Sequence, residues 1–353
     1  MPQAGTRRPG RSATKSAHAR AAPVAACPPG GAGAPAPAEK PAVVTYAEAV
    51  DELARIAAQE REDAGIRPEC RSIALLHGRK MERSIVLWHG FTNSPPQFEE
   101  LGQMLFERGF NVYIPLQPRH GRRRMTTALE RLTEVDLQAA ALRAVRIAGG
   151  LGDEVDTAGL SVGGIIAAWL AQCTRIGTAM PIAPFLALPW FSYRAGRTVA
   201  GFYTRFPNRW FWWNPIEREK TLPLHAYPRY PTRTLARMLQ FAHSVVKLSR
   251  RAPPLAQHCV LVVNGKDPAC NNSISTSMWS GWPHEAANIQ RYTFENLDRR
   301  HDIIEPDTYP EAATLVYPVL VDLLLHPGTT PAPPPEPVPT LWQEVRSVFR
   351  LLR

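Results

Sequence analysis

The sequence predicts an α/β protein that has a mainly parallel, doubly wound sheet and a helical, aromatic-rich cap insertion. Three observations lead to this fold class. Short apolar runs alternate with segments of helical periodicity between residues 43 and 326. One of these runs ends in the pattern G-x-S-x-G around Ser161, where a helical segment follows at once. Two later runs end shortly before Asp267 and His301, and in a parallel sheet the carboxyl ends of the strands share one edge.

The elements alternate in a regular order along the chain. A first helix is predicted over residues 45–62, where Tyr46, Val50, Leu53 and Ile56 have helical spacing. Strands are predicted for the apolar runs SIALLH, RSIVLWHG, NVYIPL, DTAGL, AMPIAPFLAL, HCVLVVNG and ANIQRYTFENL. Between them, helical patterns occur in PPQFEELGQMLFERGF, residues 132–148, GGIIAAWLAQC and residues 311–325.

The alternation stops between residues 186 and 250, which predicts an insertion that covers the carboxyl edge of the sheet. This cap segment is rich in proline and aromatic residues. Its aromatic side chains either form a small core of the cap or line an apolar wall for a substrate. In the second case, we expect the wall to include Trp190, Phe191, Phe211 and Trp212.

Both ends of the chain have compositions that do not support a packed core. The protein has 35 prolines, and dense Pro, Ala and Gly runs occur near both ends. We therefore predict a disordered basic arm at 1–42, a globular domain at 43–326, and a Pro-rich linker with an amphipathic helix at 327–353. Residues 340–353 place apolar side chains on one stripe among arginines, which favours docking on protein or contact with an anionic membrane surface.

The net charge of +10 does not indicate a nucleic-acid partner. Residues 1–40 hold six lysines and arginines but one acidic residue, and no groove-reading motif occurs in the rest of the chain. The five cysteines are scattered without a C-x-x-C pair, as in a reduced cytosolic protein. The apolar stretches are too short for a transmembrane helix or a signal peptide. We therefore expect a cytoplasmic protein, or alternatively a peripheral membrane protein.

The residues that carry chemistry are expected at the carboxyl edge of the sheet. A serine hydroxyl is a weak nucleophile, so Ser161 needs a histidine as base and a carboxylate that orients this histidine. Asp267 and His301 follow the runs VLVVNG and YTFENL, and the chain order Ser, Asp, His is typical of this architecture. Taken singly, the aspartate could begin a turn and the histidine could be a surface residue. All three in this order and position favour a catalytic triad.

An oxyanion hole is the remaining requirement, because negative charge develops on the substrate oxygen in the transition state. The loop LWHGFTNSPPQF follows a predicted strand, and Gly90 permits its tight turn. We expect the backbone N–H groups of Phe91 and Val162 to be the two donors. His89 lies on the strand side of this turn, and we expect its ring to brace the loop.

Five motifs in order resemble those of the α/β-hydrolase superfamily: HGFTNSP, LQPRHG, GLSVGG, NGKDP and RRHDI. The resemblance is closest to bacterial carboxylesterases and monoacylglycerol-lipase-like serine hydrolases, and it covers residues 80–326. It implies the α/β-hydrolase fold and ester hydrolysis at the predicted triad. Two positions depart from the family pattern, since Asn93 and Arg119 stand where glycines are usual.

The mechanism expected from these residues is a two-step acyl transfer through an acyl-enzyme, with no metal or organic cofactor. The expected partner is a small-molecule ester with an apolar acyl group of medium length, monoacylglycerols among them. Two other functions are compatible with the same sequence features. An acyltransferase or thioesterase would use the same triad, and a binding protein could retain the fold without catalysis.

Overall fold

The computed structural model describes residues 44–123, 128–216, 218, 222–282 and 288–332. The predictions for the arm at 1–42 and for the amphipathic segment at 340–353 concern residues outside these ranges, so they stay predictions. None of the helices in the described part of the chain is both long and apolar enough to cross a membrane.

Apolar runs form the strands. Their bounds in chain order are β1 Ile73–Leu75, β2 Met81–Trp88, β3 Asn111–Ile114, β4 Gly152–Leu160, β5 Thr178–Ile182, β6 Trp210–Trp212, β7 Arg229–Pro231, β8 His258–Asn264 and β9 Asn288–Phe294. Seven of them form one sheet in the order β1-β3-β2-β4-β5-β8-β9. The short edge strand β1 is antiparallel to β3, and the other neighbouring pairs are parallel. The predicted mainly parallel sheet is therefore confirmed.

Amphipathic and apolar segments form the helices that flank this sheet. They are α1 Tyr46–Glu62, α2 Glu99–Glu107, α3 Glu134–Leu151, α4 Val162–Cys173, α5 Tyr193–Tyr203, α6 Thr232–Ser249, α7 Asn272–Ser280, α8 Ala312–Leu315 and α9 Tyr317–Leu325. Helices α1, α3, α4 and α6 contact one another in one group, and α2 packs with α9 in another. These two groups cover the sheet, as a doubly wound architecture requires.

Local side chains determine where several helices begin and end. Thr45 and Thr133 each form a capping box, with Glu48 and Asp136 as the reciprocal partners, at the starts of α1 and α3. The helix predicted over 311–325 is instead two short helices, α8 and α9. The break lies next to Pro318, which has no N–H to donate and whose ring disfavours a continuous helix.

The hydrophobic core holds the central strands against the helices that flank the sheet. Leu87 on β2, Leu101 on α2 and Leu320 on α9 are fully buried in one cluster. Burial of a side chain of this size contributes about 1.5–3 kcal/mol to folding. The strands that carry the predicted site residues are thus fixed against two helices.

The chain between β5 and β8 includes the segment that the sequence predicts as a cap. It contains α5, α6 and an antiparallel ribbon in which Trp210 pairs with Pro231 and Trp212 with Arg229. This ribbon was not predicted, because strands of three residues are too short for an alternating pattern to be recognised. Helices α5 and α6 pack against each other, and α6 also contacts α4.

Candidate active site

Ser161 lies at the sharp turn between β4 and α4. Its φ and ψ angles are 58° and −110°, a region that residues other than glycine rarely occupy. Its N–H donates to Ile182 O (3.0 Å), and its carbonyl accepts from Phe185 N (3.1 Å). These bonds to the end of β5 and the following loop hold the residue in its unusual conformation. The Ser161 hydroxyl forms no capping hydrogen bond with the N-terminus of α4.

Gly159 and Gly163 are required because the backbones around this turn approach closely. A Cβ on Gly159 would lie 2.4 Å from Gly163 O, and a Cβ on Gly163 would lie 2.1 Å from Trp88 O. Both distances are far inside van der Waals contact, and the neighbouring atoms belong to the backbone. The two glycines thus allow the end of β2 to lie directly beside the serine turn.

Replacement of Gly163 by alanine is expected to destabilise the fold by about 2–3 kcal/mol, because the added methyl group must displace the Trp88 backbone. Gly149→Ala is the matched control, since Gly149 lies in α3 and a Cβ there has nothing within 4 Å. Alanine is favoured over glycine in a helix by about 0.5–1 kcal/mol, so the control should be slightly more stable. Urea unfolding measures both changes. An unchanged free energy of unfolding for Gly163→Ala would contradict the close approach.

Asp267 and His301 form a hydrogen-bonded pair beyond β8 and β9. The His301 Nδ1 atom is 2.8 Å from Asp267 Oδ2, and the Asp267 side chain is fully buried. The other carboxylate oxygen, Oδ1, accepts from the N–H groups of Ala269 (2.7 Å) and Cys270 (3.1 Å). A carboxylate held in this way keeps the proton on Nδ1 of the imidazole, so Nε2 is left as the proton acceptor.

The pKa of His301 lies well above its ordinary value of 6.5. Burial opposes the imidazolium charge, but Cys270, the hydrogen bond to Asp267 and the Asp267 charge together favour it. The Cys270 Sγ atom is 3.7 Å from His301 Nδ1, and burial raises the pKa of this thiol. Because the thiol is then neutral near pH 7, we attribute the raised pKa of His301 mainly to Asp267.

The same three side chains have donor atoms within 4.8 Å of one another, a spacing that a metal ion can bridge. The Asp267 oxygens are already engaged by two backbone N–H groups and by His301. The cluster of Asp267, Cys270 and His301 is therefore arranged as an acid–base pair with a neighbouring thiol.

Asn264, the last residue of β8, positions the loop after β9. Its side-chain amide donates to Asp298 O (2.9 Å) and Arg300 O (2.8 Å), and its Oδ1 accepts from Lys266 N (3.0 Å). One buried side chain therefore ties the loop after β8 to the loop after β9. This role was not predicted, because an asparagine before a glycine indicates a turn but gives no information about distant partners.

The loop after β2 lies beside the serine turn. A Cβ on Gly90 would lie 3.8 Å from Leu160 O, the carbonyl directly before the serine. Within the described residues, no group accepts a hydrogen bond from the N–H of Phe91 or of Val162. The fold thus does not use the two donors that the sequence predicts for the oxyanion hole.

Gln97 connects the loop after β2 with the loop after β9. Its Oε1 accepts from Gly90 N (2.7 Å), and its Nε2 donates to Asp302 Oδ2 (2.6 Å). The Asp302 Oδ1 atom accepts two further backbone N–H groups at 3.0 Å each. The amide of Gln97 thus sets the distance between the predicted oxyanion loop and the residue after His301, a role that the sequence did not reveal.

His89 and His120 are buried and brace the loop after β2. The His89 Nδ1 atom is 3.0 Å from Gly90 O, and its Nε2 accepts from Gln117 N (3.1 Å). The His120 Nε2 atom accepts from Thr92 N (3.3 Å). Burial lowers the pKa of His89 well below its ordinary value and lowers the pKa of His120 to about 4. Both rings are therefore neutral near pH 7, and the bracing role predicted for His89 is confirmed.

A family model described as the alpha/beta hydrolase family matches residues 85–308, more than half of the chain. The chain belongs to this family. A search of the curated proteins gives no match.

Solved structures of several lipolytic enzymes share the fold of this alpha/beta hydrolase. One, from the metagenome-derived pair LipS and LipT, is 19% identical with a TM-score of 0.55, covering 68% of this chain and 92% of that chain. A monoacylglycerol lipase from Paleococcus ferrophilus is 18% identical with a TM-score of 0.51, covering 71% and 97%. A soluble variant of monoglyceride lipase from Saccharomyces cerevisiae is 12% identical with a TM-score of 0.56, covering 72% and 90%. At these identities the likeness establishes the fold.

In this alpha/beta hydrolase, the cap segment contacts the loop after β2 directly. Thr92 has a φ of 69°. Its hydroxyl accepts from Trp213 Nε1 (2.8 Å), and its carbonyl accepts from Tyr227 N (2.7 Å). The Trp213 ring also lies edge to face with Phe91, at a centroid distance of 6.4 Å. Among the cap aromatics, Trp213 is thus brought to the predicted oxyanion loop, although the sequence offered no signal that distinguishes it from its neighbours.

The four aromatics predicted as a substrate wall differ in exposure on the cap of the hydrolase. Trp190 is 83% exposed, Phe191 37% and Phe211 53%. Trp212 is half-buried, and the guanidinium of Arg229 lies 5.0 Å from its ring centroid. Three of these four rings are thus exposed, and both the small cap core and the substrate wall stay predictions.

The two departures from the family pattern have a structural basis. Asn93 is buried, and its Nδ2 donates to Glu305 Oε2 (3.1 Å). Its Oδ1 accepts from Ser94 N (2.8 Å) and lies 2.9 Å from His225 Nδ1. Arg119 has a φ of 68°, so it retains a left-handed backbone that glycine adopts without strain. The Asn93 side chain thus forms a polar bridge, and Arg119 lies at a left-handed position that favours glycine.

Proposed function

We propose that this alpha/beta hydrolase is a serine esterase that cleaves carboxylic esters through an acyl-enzyme. The observation that carries the proposal is the pair of His301 and Asp267, whose nitrogen and oxygen atoms are 2.8 Å apart beyond the carboxyl ends of β8 and β9. Ser161 occupies a strained turn at the carboxyl end of β4, in the same sheet. The lipolytic enzyme and the monoacylglycerol lipases named above share the fold, and the proposal extends ester cleavage to this chain.

In the proposed mechanism, His301 accepts the hydroxyl proton of Ser161 as the serine oxygen attacks the ester carbonyl carbon. The N–H groups of Phe91 and Val162 stabilise the oxyanion. The alcohol then leaves with the proton from His301, and the acyl group stays on the serine. A water molecule then gives a proton to His301 as it attacks the acyl carbon, and His301 passes this proton to the Ser161 oxygen as the acid is released.

The proposed substrate has an apolar acyl group of medium length. The rings of Phe91 and Trp213 lie edge to face at the predicted oxyanion loop. They support the proposal of an apolar environment for the acyl chain. Turnover of p-nitrophenyl esters from acetate to laurate tests the proposal, and we expect the highest kcat/KM at intermediate chain length. Absence of turnover on the whole series would contradict ester hydrolysis.

Competing acceptors distinguish hydrolysis from acyl transfer. With glycerol or an alkylamine present, we expect the free acid to remain the main product. If the fraction of acyl groups transferred to the acceptor exceeds the mole fraction of the acceptor in the mixture with water, the acyltransferase alternative is favoured instead.

Replacement of Gln97 by alanine is expected to lower kcat on these esters by about 10–100-fold, because it removes the link between the loops after β2 and β9. The KM should change less than kcat, since Gln97 is buried and its partners are Gly90 and Asp302. Gln103→Ala is the matched control, because Gln103 is an exposed residue of α2. Steady-state kinetics of both variants measure the effect. Equal kcat values in the two variants would rule out a positioning role for Gln97.

A further inference from the structure

A cavity of about 510 Å³ lies between the start of α2, the cap segment and the loop that follows His301. None of the predicted triad residues lines it. Four carboxylates and one imidazole face this cavity, and they belong to Glu99, Glu100, Glu305, Asp307 and His225. The mechanism proposed above uses none of these five side chains.

Three of these side chains have their donor atoms close together. The His225 Nε2 atom is 3.5 Å from Glu305 Oε1 and 3.9 Å from Asp307 Oδ2. One donor atom from each residue lies within 4.8 Å of the other two. Bonds of about 2.0–2.2 Å from a metal ion to nitrogen and oxygen place such ligand atoms roughly 3 Å apart. Small side-chain rotations would therefore bring all three onto one ion.

The hydrogen bonds around His225 determine which of its ring nitrogens carries the proton and which has a free lone pair. Asn93 Oδ1 accepts from Ser94 N, while Asn93 Nδ2 donates to Glu305 Oε2, so the Asn93 oxygen faces His225 Nδ1 as an acceptor. Nδ1 therefore carries the proton and donates to Asn93. In the neutral ring, Nε2 is a bare nitrogen next to two carboxylates, and this orientation by a second hydrogen bond is typical of histidine ligands of metals.

Two carboxylates lie here beside a single imidazole. Glu305 is 1% exposed, and among the described residues His225 has the one basic side chain within 4 Å of its carboxylate, a ring that carries no charge in its neutral form. The carboxylate of Asp307 likewise has the His225 ring, 3.9 Å away, as the one basic group within 4 Å in this part of the chain. A buried carboxylate is costly unless a cation compensates it. A divalent cation would compensate both carboxylates at once.

We propose that His225, Glu305 and Asp307 bind a divalent transition-metal ion, of the Mn²⁺ or Zn²⁺ kind, that links the cap to the loop after His301. An imidazole ligand favours such ions over Ca²⁺ and Mg²⁺, which prefer sites made of oxygen ligands alone. The adjoining cavity has room for water molecules as the remaining ligands. The ion takes no part in acyl transfer, and the proposal does not depend on the esterase assignment.

Binding of Mn²⁺ to the full-length protein tests the site. After treatment with EDTA and removal of the chelator, the protein is titrated with Mn²⁺, and the free ion is measured by its electron paramagnetic resonance signal. Mn²⁺ is chosen because it prefers oxygen and nitrogen ligands, so the thiol of Cys270 should not compete for it. We expect one ion per chain and a higher thermal unfolding midpoint with Mn²⁺ than without it.

Asp307→Asn is the informative variant, because the Asp307 side chain is 63% exposed and its replacement should leave the fold intact. We expect this variant to bind Mn²⁺ at least about 10-fold more weakly and to lose the thermal shift. Glu311→Gln is the matched control, since Glu311 is an exposed carboxylate four residues further on, and it should bind like the wild type.

Three results would overturn the proposal. They are no Mn²⁺ binding by the wild type, equal Mn²⁺ affinity in Asp307→Asn and the wild type, and displacement of Mn²⁺ by an equal concentration of Ca²⁺. The first two remove the metal site, and the third removes its assignment to a transition metal. Displacement of Mn²⁺ by Zn²⁺ at equal concentration is expected, because Zn²⁺ binds such ligand sets more tightly.

Discussion

Replacement of Ser161 by alanine is expected to reduce kcat on p-nitrophenyl esters by roughly 10⁵- to 10⁶-fold, because no acyl-enzyme can then form. The same change should abolish covalent labelling by an organophosphonate. The fold should be retained, since alanine keeps the Cβ atom and therefore the same backbone strain at a φ of 58°. The residual turnover should be that which the oxyanion hole and substrate binding support without a nucleophile. Intact-mass spectrometry after labelling, together with ester kinetics, measures both effects.

Ser277→Ala is the matched control for this prediction. Ser277 is exposed on α7, and alanine is favourable in a helix, so activity and labelling should equal those of the wild type. Labelling that persists in Ser161→Ala would place the nucleophile at another residue and overturn the proposed function.

Replacement of Asp267 by asparagine is expected to lower kcat by about 10⁴-fold and to move the acid limb of the pH profile. The neutral form of His301 is the base, so activity is lost as the pH falls through the pKa of His301. In the wild type this midpoint of kcat/KM should lie above 6.5, because the pKa of His301 is raised above that value. Asparagine removes the carboxylate charge while burial still disfavours the imidazolium, so the midpoint should move to lower pH.

Asp298→Asn is the control for the pH profile. Asp298 is an exposed carboxylate three residues before His301, and its backbone carbonyl, which accepts from Asn264, is unchanged by the replacement. This variant should keep the wild-type midpoint. Equal midpoints in Asp267→Asn and the wild type would show that another group controls the acid limb.

Secondary structure could be predicted from the sequence where successive residues of a strand or helix are all buried. The last five residues of β2 are all buried, so this strand reads as an apolar run without alternation, as strands of parallel sheets do. The ribbon of β6 and β7 and the division between α8 and α9 were not predicted. Three-residue strands have no recognisable period, and a proline near a helix start is compatible with one helix or with two.

The candidate site was predictable only in the residues that lie on the loops beyond the carboxyl ends of strands. Ser161, Asp267 and His301 have a fixed relation to the ends of β4, β8 and β9, and the topology brings such positions to one edge. Gln97 acts through Asp302, which lies 205 residues further along the chain. Nothing local in a sequence specifies a partner at that separation.

The cap aromatics illustrate the same limit for side-chain direction. Trp190 and Trp213 belong to one aromatic-rich segment, and composition does not separate them. In the structure, Trp190 is 83% exposed, whereas the Trp213 indole donates to Thr92. Which ring turns toward the body is decided by the tertiary packing of the ribbon, and that packing involves partners far away in sequence.

The hydrogen bonds at Thr92 have a consequence for how this protein can change. Thr92 is held in its left-handed conformation by two donors from the cap, the Trp213 indole and the Tyr227 N–H. A cap without a tryptophan at position 213 would lose the indole donor and leave Thr92 with the backbone donor alone. Substitutions elsewhere in the cap leave the Trp213 contact in place, so they can change the substrate range without disturbing the residue next to Phe91.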